Sequence, residues 1–163
     1  MTNSTGKINV LMVCLGNICR SPSAHAVFKK LVADAGLSEI ISVESAGTGS
    51  YHIGEKPDKR SREAAKKRGY SLRGIRAQQL QVEDFSHYDY LLAMDENNFA
   101  SMLAMAPKQY HHKIRLFMEF ANNAAMAVPD PYYSGADGFE LVLDLVEEAS
   151  AGLLSHIKQQ DLH

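Results

Sequence analysis

The sequence predicts an α/β fold: a doubly wound four-stranded parallel sheet with helices on both faces. Three observations lead there. Apolar runs and helical patterns alternate along the chain. The apolar runs are near-continuous, as strands covered on both faces require. The first run ends in a loop of reactive residues, and open sheets of this class bind ligands beyond the carboxyl ends of their strands.

Ile8–Val13 is the first strand, interrupted only by Asn9. Ser23–Ala35 carries Ala24, Val27, Phe28 and Leu31 at helical spacing, and Gly36 stops it. Ile40–Ser45 is the second strand and Gly47–Gly54 a loop. Asp58–Arg68 is a second helix, opened by Pro57-Asp58 and closed by Gly69. Tyr88–Met94 is an apolar strand interrupted by Asp89, and Glu96–Met105 a short helix ended by Pro107. Lys113–Phe117 is the fourth strand, followed by an irregular, proline-containing loop, Asn122–Ser134. Asp137–Gln159 closes the chain as an amphipathic helix with Leu141, Leu145, Val146, Ala149, Leu153, Leu154 and Ile157 on its apolar positions.

The 163 residues suffice for one domain spanning 1–163, with 1–6 expected to be a flexible N-terminus. The net charge of −2 argues against nonspecific nucleic-acid binding. No apolar run approaches the roughly 20 residues of a membrane span. Met1–Lys7 is polar and lacks a signal-peptide core, so no membrane association and a cytoplasmic location are expected. Both cysteines sit in one loop. A bridge between them would close a tiny ring and stabilise little. Neither this pair nor His111-His112 has the spacing of a zinc site.

The loop reads Cys14-Leu15-Gly16-Asn17-Ile18-Cys19-Arg20-Ser21-Pro22. It joins a buried strand to a helix N-terminus, where unpaired N–H groups and the helix dipole bind anions. Cysteines placed in such a field beside a cation can titrate at about 3.5–7.5. An ionised Cys14 inside an anion cradle suggests covalent attack on a phosphate. Five intervening residues can wrap a phosphoryl group with their N–H groups inward. Gly16 is expected to take a conformation closed to residues with a Cβ, and Asn17 to tolerate a left-handed one. Arg20 offers a planar fork to two oxygens, Ser21 a hydroxyl to the thiolate, and Pro22 fits a first helical turn.

Far along the chain stands Val128-Pro129-Asp130-Pro131-Tyr132-Tyr133. Two prolines restrict Asp130, and a carboxyl group on a stiff loop suits protonation of a leaving phenol. Tyr132 and Tyr133 either wall a slot for an aromatic ring or simply pack the loop.

The Cys14–Pro22 string, Ala24-His25-Ala26-Val27-Phe28 and Asp130-Pro131-Tyr132-Tyr133 resemble the low-molecular-weight protein tyrosine phosphatases. Ser45-Ala46-Gly47-Thr48, Lys56-Pro57-Asp58 and Leu92-Ala93-Met94-Asp95 follow in the family's order, so the resemblance covers nearly the whole chain. It implies the phosphotyrosine phosphatase I-like fold and hydrolysis of phosphotyrosine without metal or cofactor. Cys14 would be the nucleophile and form a phosphocysteine. Arg20 would bind the phosphate, and Asp130 would act as acid and then base. Ser21 would support the thiolate and Asn17 the loop. Leu15, Gly16, Asn17, Ile18, Cys19, Tyr51, Tyr132 and Tyr133 would line the substrate site. Phosphate and vanadate would be site ligands. The protein partner would be a phosphotyrosine protein, a tyrosine kinase among the candidates. Ile18 stands where the family's phosphoarginine phosphatases carry threonine, which favours phosphotyrosine. Cys19 resembles the family's second loop cysteine, which traps oxidised Cys14 as a disulfide. The chain departs from the family at Gly74-Ile75-Arg76-Ala77-Gln78, where a His-x-Ala-Arg pattern is common. The histidine that supports the loop asparagine is then missing.

Rival readings fare worse. Arsenate reductases share the loop but need downstream cysteines, and none follows Cys19. A phosphate-binding module would have no need of Asp130. A thiol-redox protein would favour Cys-x-x-Cys. The basic stretch Lys56, Lys59, Arg60, Arg62, Lys66, Lys67 and Arg68 reads as a solvated helix face, or as a surface that steers acidic phosphoproteins.

Overall fold

β1 (Ile8–Cys14) leads into α1 (Arg20–Asp34), β2 (Ile41–Gly47), α2 (Lys59–Lys67), a single turn α3 (Asp84–His87) and β3 (Tyr90–Ala93). α4 (Glu96–Met105), β4 (Ile114–Leu116) and α5 (Ala136–Asp161) complete the chain, with 3₁₀ turns at Lys108–Lys113 and Phe117–Phe120. This computed structural model describes residues 6–122, 125–132 and 134–162. The expected flexible segment 1–6 lies outside them except for Gly6, and Tyr133 lies outside them too.

The strands run in the order β2-β1-β3-β4, and every pairing is parallel. Alternate residues of the central strands feed two cores. Val10, Met12, Tyr90 and Leu92 face the core shared with α1 and α5. Leu11, Val13, Leu91 and Ala93 face the core that includes Phe85 of α3 and Met102 of α4. The near-continuous apolar runs of β1 and β3 thus reflect burial on both faces.

The order places the topological switch between β1 and β3. From β1 the chain turns toward β2, and from β3 toward β4. The carboxyl ends of these two strands open a crevice between diverging connections, the usual ligand position in such sheets. Cys14 ends β1, and Asp95 follows β3 by two residues.

Several boundaries differ from the sequence expectation. α1 begins at Arg20 rather than Ser23, with Cys19 as its N-cap. Arg20, Ser21 and Pro22 therefore occupy its first turn, where Pro22 costs no helical hydrogen bond. β2 runs on to Gly47, and a Cβ there would come 2.7 Å from the Leu15 carbonyl oxygen. The strand can approach the Cys14 loop only through glycine. α3 and the two 3₁₀ turns escaped the sequence reading because four to six residues are too few to show a period.

The basic face is not uniformly solvated. Arg68 forms ion pairs with Glu140 (2.7 Å), Asp144 (2.9 Å) and Glu147 (2.8 Å) of α5. This cluster fastens α2 to α5, which a single helical pattern could not reveal.

Candidate active site

The loop between β1 and α1 curls around the sulfur of Cys14. The Asn17 N–H donates to Sγ at 3.3 Å, and Ser21 Oγ lies 3.0 Å from it. An anionic sulfur would find two donors in place. Asn17 Nδ2 also donates to Ser21 Oγ at 2.8 Å, which fixes the hydroxyl below the sulfur. Asn17 has φ of +57°, the only positive value at a non-glycine position among the described residues. The left-handed conformation expected of Asn17 is thus present.

Gly16 corrects the expectation. Its φ is not positive, so left-handed backbone freedom is not its contribution. Its contribution is space: a Cβ would sit 3.0 Å from Cδ2 of His52.

Arg20 is nearly buried and is held from the far side of the switch. Nη1 donates to Asp95 Oδ2 at 2.5 Å and to the Val128 carbonyl at 3.1 Å. Nη2 faces Asp130 Oδ2 at 3.6 Å. Burial works against the Arg20 charge, but Cys14, the Asp95 hydrogen bond and Asp130 together push its pKa above the ordinary guanidinium value. The cation is permanent. Nε and Nη2 have no hydrogen-bond acceptor among the described residues, so a planar pair of donors remains for an incoming anion.

Asp130 reaches the site because Val128 is tied to the sheet. The Val128 N–H donates to the Met94 carbonyl at 2.8 Å, and the Val128 side chain is fully buried. Asp130 Oδ1 accepts from the Tyr132 N–H at 3.0 Å, an Asx turn that holds the carboxylate over the cleft.

These residues frame a cleft of about 370 Å³ lined by Cys14, Leu15, Gly16, Ile18, Cys19, Arg20, Tyr51, His52, Asp130 and Tyr132. Leu15, Tyr51 and Tyr132 are exposed at its rim. The structure therefore brings together ten of the lining residues, nine of them anticipated from sequence. Asn17 and Ser21 lie beneath, fully buried.

The sequence of residues 9–162 matches the family described as low molecular weight phosphotyrosine protein phosphatase. The chain belongs to that family. A putative low molecular weight protein-tyrosine-phosphatase from Synechocystis is 46% identical over 155 residues, covering 94% of this chain and 98% of its own. A protein tyrosine phosphatase from Entamoeba histolytica, solved with Hepes in its active site, superposes with a TM-score of 0.91 at 41% identity, covering 94% of this chain and 98% of its own. YfkJ from Bacillus subtilis superposes with the same score at 37% identity, covering 98% and 99%.

The histidine expected to support the loop asparagine is absent, yet Asn17 is anchored. Its Oδ1 accepts from the backbone N–H of Gln78 at 3.0 Å. The Gln78 carbonyl accepts from Gly47 N–H at 2.8 Å, and Gln78 Nε2 donates to the Ser45 carbonyl at 2.8 Å. The support of Asn17 here is a backbone N–H.

Sequence reasoning missed three contributors. Asp95 looks like a helix N-cap, and it is one: Oδ1 accepts from Asn98 N–H at 2.7 Å. Its other oxygen serves Arg20, which only the strand order decides. His52 lines the cleft from the Gly47–Gly54 region and pairs with Glu55 at 3.2 Å. Gln78 acts mainly through its backbone, which leaves no side-chain signal to read.

Cys19 is buried with a free thiol, and burial followed by the charge of Asp58 pushes its pKa up to about 12. It stays protonated through the neutral range.

Proposed function

We propose that this chain hydrolyses phosphotyrosine in proteins through a phosphocysteine intermediate. The observation that carries the reading is the convergence of Asn17 N–H and Ser21 Oγ on the Cys14 sulfur, with the Arg20 fork and the Asp130 carboxylate across the same cleft. The Cys14 thiolate attacks phosphorus, and the bond to the tyrosyl oxygen breaks. Asp130 gives that oxygen a proton, so phenol leaves rather than phenolate. Water then attacks the phosphocysteine and passes a proton to Asp130, and the thiolate leaves with Ser21 donating to it. Arg20 and the loop N–H groups bind the equatorial oxygens and gain strength as charge spreads onto them.

Ile18 and the rim of Leu15, Tyr51 and Tyr132 support an aromatic substrate rather than a guanidinium phosphate. The Cys14–Cys19 pair supports a protective disulfide after oxidation of Cys14, since both thiols are free and border one cleft.

The test compares phosphotyrosine, phosphoserine and phosphoarginine substrates, with the unaltered protein and Cys14→Ser, in the presence of a chelator. Turnover of phosphotyrosine alone, inhibited by vanadate and abolished in the variant, is expected. Tight phosphopeptide binding without turnover would sink the enzymatic reading. Preference for phosphoarginine would overturn the role given to Ile18.

A further inference from the structure

The basic residues between Lys56 and Arg68 meet different fates. Arg68 is neutralised by three carboxylates of α5, Arg60 by Asp58 and Lys59 by Glu63. Lys56, Arg62 and Lys66 have no acidic partner among the described residues. They join Arg73 and Arg76, which have none either, around a cleft of about 850 Å³. All five cations are exposed, and no carboxylate lines the cleft. Pro57, Tyr70, Leu72 and Ile75 form its apolar walls. The whole chain has a net charge of −2, so this hollow is a local reversal of sign. The active cleft is less than half as large, at about 370 Å³.

We propose that this cleft is a second recognition site, binding an acidic segment of the substrate protein four or more residues from its phosphotyrosine. The inference rests on the phosphatase reading above and extends it to substrate choice. Five cations around one hollow exceed what one carboxylate can neutralise. An extended peptide with several carboxylates uses all of them, while its aliphatic stems cover the apolar walls.

Reach supports this occupant. His52 borders the active cleft and Lys56 borders the basic one. Four residues of chain span at most about 14 Å. The ridge between the clefts is fixed, because Gly54 N–H donates to the Ala77 carbonyl (2.8 Å) and Ala77 N–H to the Glu55 carbonyl (2.9 Å). A substrate peptide seated by its phosphotyrosine crosses that ridge in about four residues of its own.

The test uses three phosphotyrosine peptides: one neutral, and two with three Glu at positions four to six, on the N-terminal or the C-terminal side. Steady-state kinetics are compared for the unaltered protein and for a variant carrying Lys56→Gln, Lys66→Gln, Arg73→Gln and Arg76→Gln. In the unaltered protein one acidic peptide should show KM lower by about tenfold at low salt, as several exposed ion pairs each contribute a factor of about 1.5–5. The gain should shrink in 0.5 M salt, where the Debye length falls to a few ångströms. In the variant the peptides should converge, while kcat for the neutral peptide and turnover of a small aryl phosphate stay unchanged. Equal KM values in the unaltered protein, or an acidic preference that survives in the variant, would overturn the second site and leave the phosphatase reading standing. Absence of turnover with every phosphotyrosine substrate would overturn that reading, and the second site with it.

Discussion

Residues 14–21 and residues 128–132 supply opposite sides of one cleft and are held in different ways. Cys14, Asn17, Arg20 and Ser21 are 2%, 0%, 3% and 0% exposed, and hydrogen bonds link them to one another, to Asp95 beyond β3 and to the Gln78 backbone. The Asp130 side chain is 49% exposed, and it accepts a hydrogen bond from a neighbour two residues away. Buried Val128 anchors that arm to the sheet through the Met94 carbonyl. The difference follows the chemistry. On the proposed mechanism the phosphoryl group is the same in every substrate, so its seat is built in advance and costs no reorganisation during reaction. The leaving group belongs to varied proteins and must enter and depart, so its side stays open to water.

Perturbing each side should expose this contrast. Asp130→Asn should lower kcat on phosphotyrosine by about 10²–10³, and by much less on an aryl phosphate whose phenol leaves easily. Equal losses on both substrates would remove Asp130 from the proton transfer. Asn17→Ala should cost about 10–100-fold in kcat, because it deprives Ser21 of its donor and strains a position with φ of +57°. Asn17→Gly should recover the stability but not the rate, which separates the backbone contribution from the side-chain one.

A pH measurement probes the same buried side without touching the reaction. His25 is buried, with Nδ1 3.0 Å from Ser45 Oγ. Burial, with help from Lys29, lowers its pKa from 6.5 to about 4. The folded state then binds fewer protons than the unfolded chain between these values. Its stability contribution is complete above pH 6.5 and lost as pH falls toward 4, about 3 kcal/mol over the full window. Denaturant titrations at pH 7 and pH 4.5 should show this loss, and His25→Gln should reduce it. The smallest effect belongs to the open rim. Tyr132→Ala should raise KM for phosphopeptides by a few fold through lost stacking, with kcat nearly unchanged.

Much of this architecture is legible along the chain. The strands of the two-faced sheet announce themselves as continuous apolar runs, and α5 by its long amphipathic repeat. Cys14, Asn17 and Arg20 lie within seven consecutive positions, so local geometry alone brings them together. Asp130 was readable because two prolines mark its loop. The fourth strand, expected over Lys113–Phe117, is trimmed to Ile114–Leu116, whereas the single turn of α3 is too short to carry a period and its placement comes from packing.

The sequence by itself determined the curl of the Cys14 loop, because Cys14, Asn17 and Ser21 form one strand–loop–helix unit whose mutual contacts are short-range. Tertiary structure decided what completes it. The order β2-β1-β3-β4 sets Asp95 against Arg20, 75 positions away in sequence, and the bond of Val128 to Met94 brings Asp130 over the cleft. It also divided a run of similar basic residues between a clamp on α5 and an open cleft. A lysine or arginine looks alike in sequence whether a distant carboxylate waits opposite or not, and the packing of α2 on α5 supplies those that Arg68 meets.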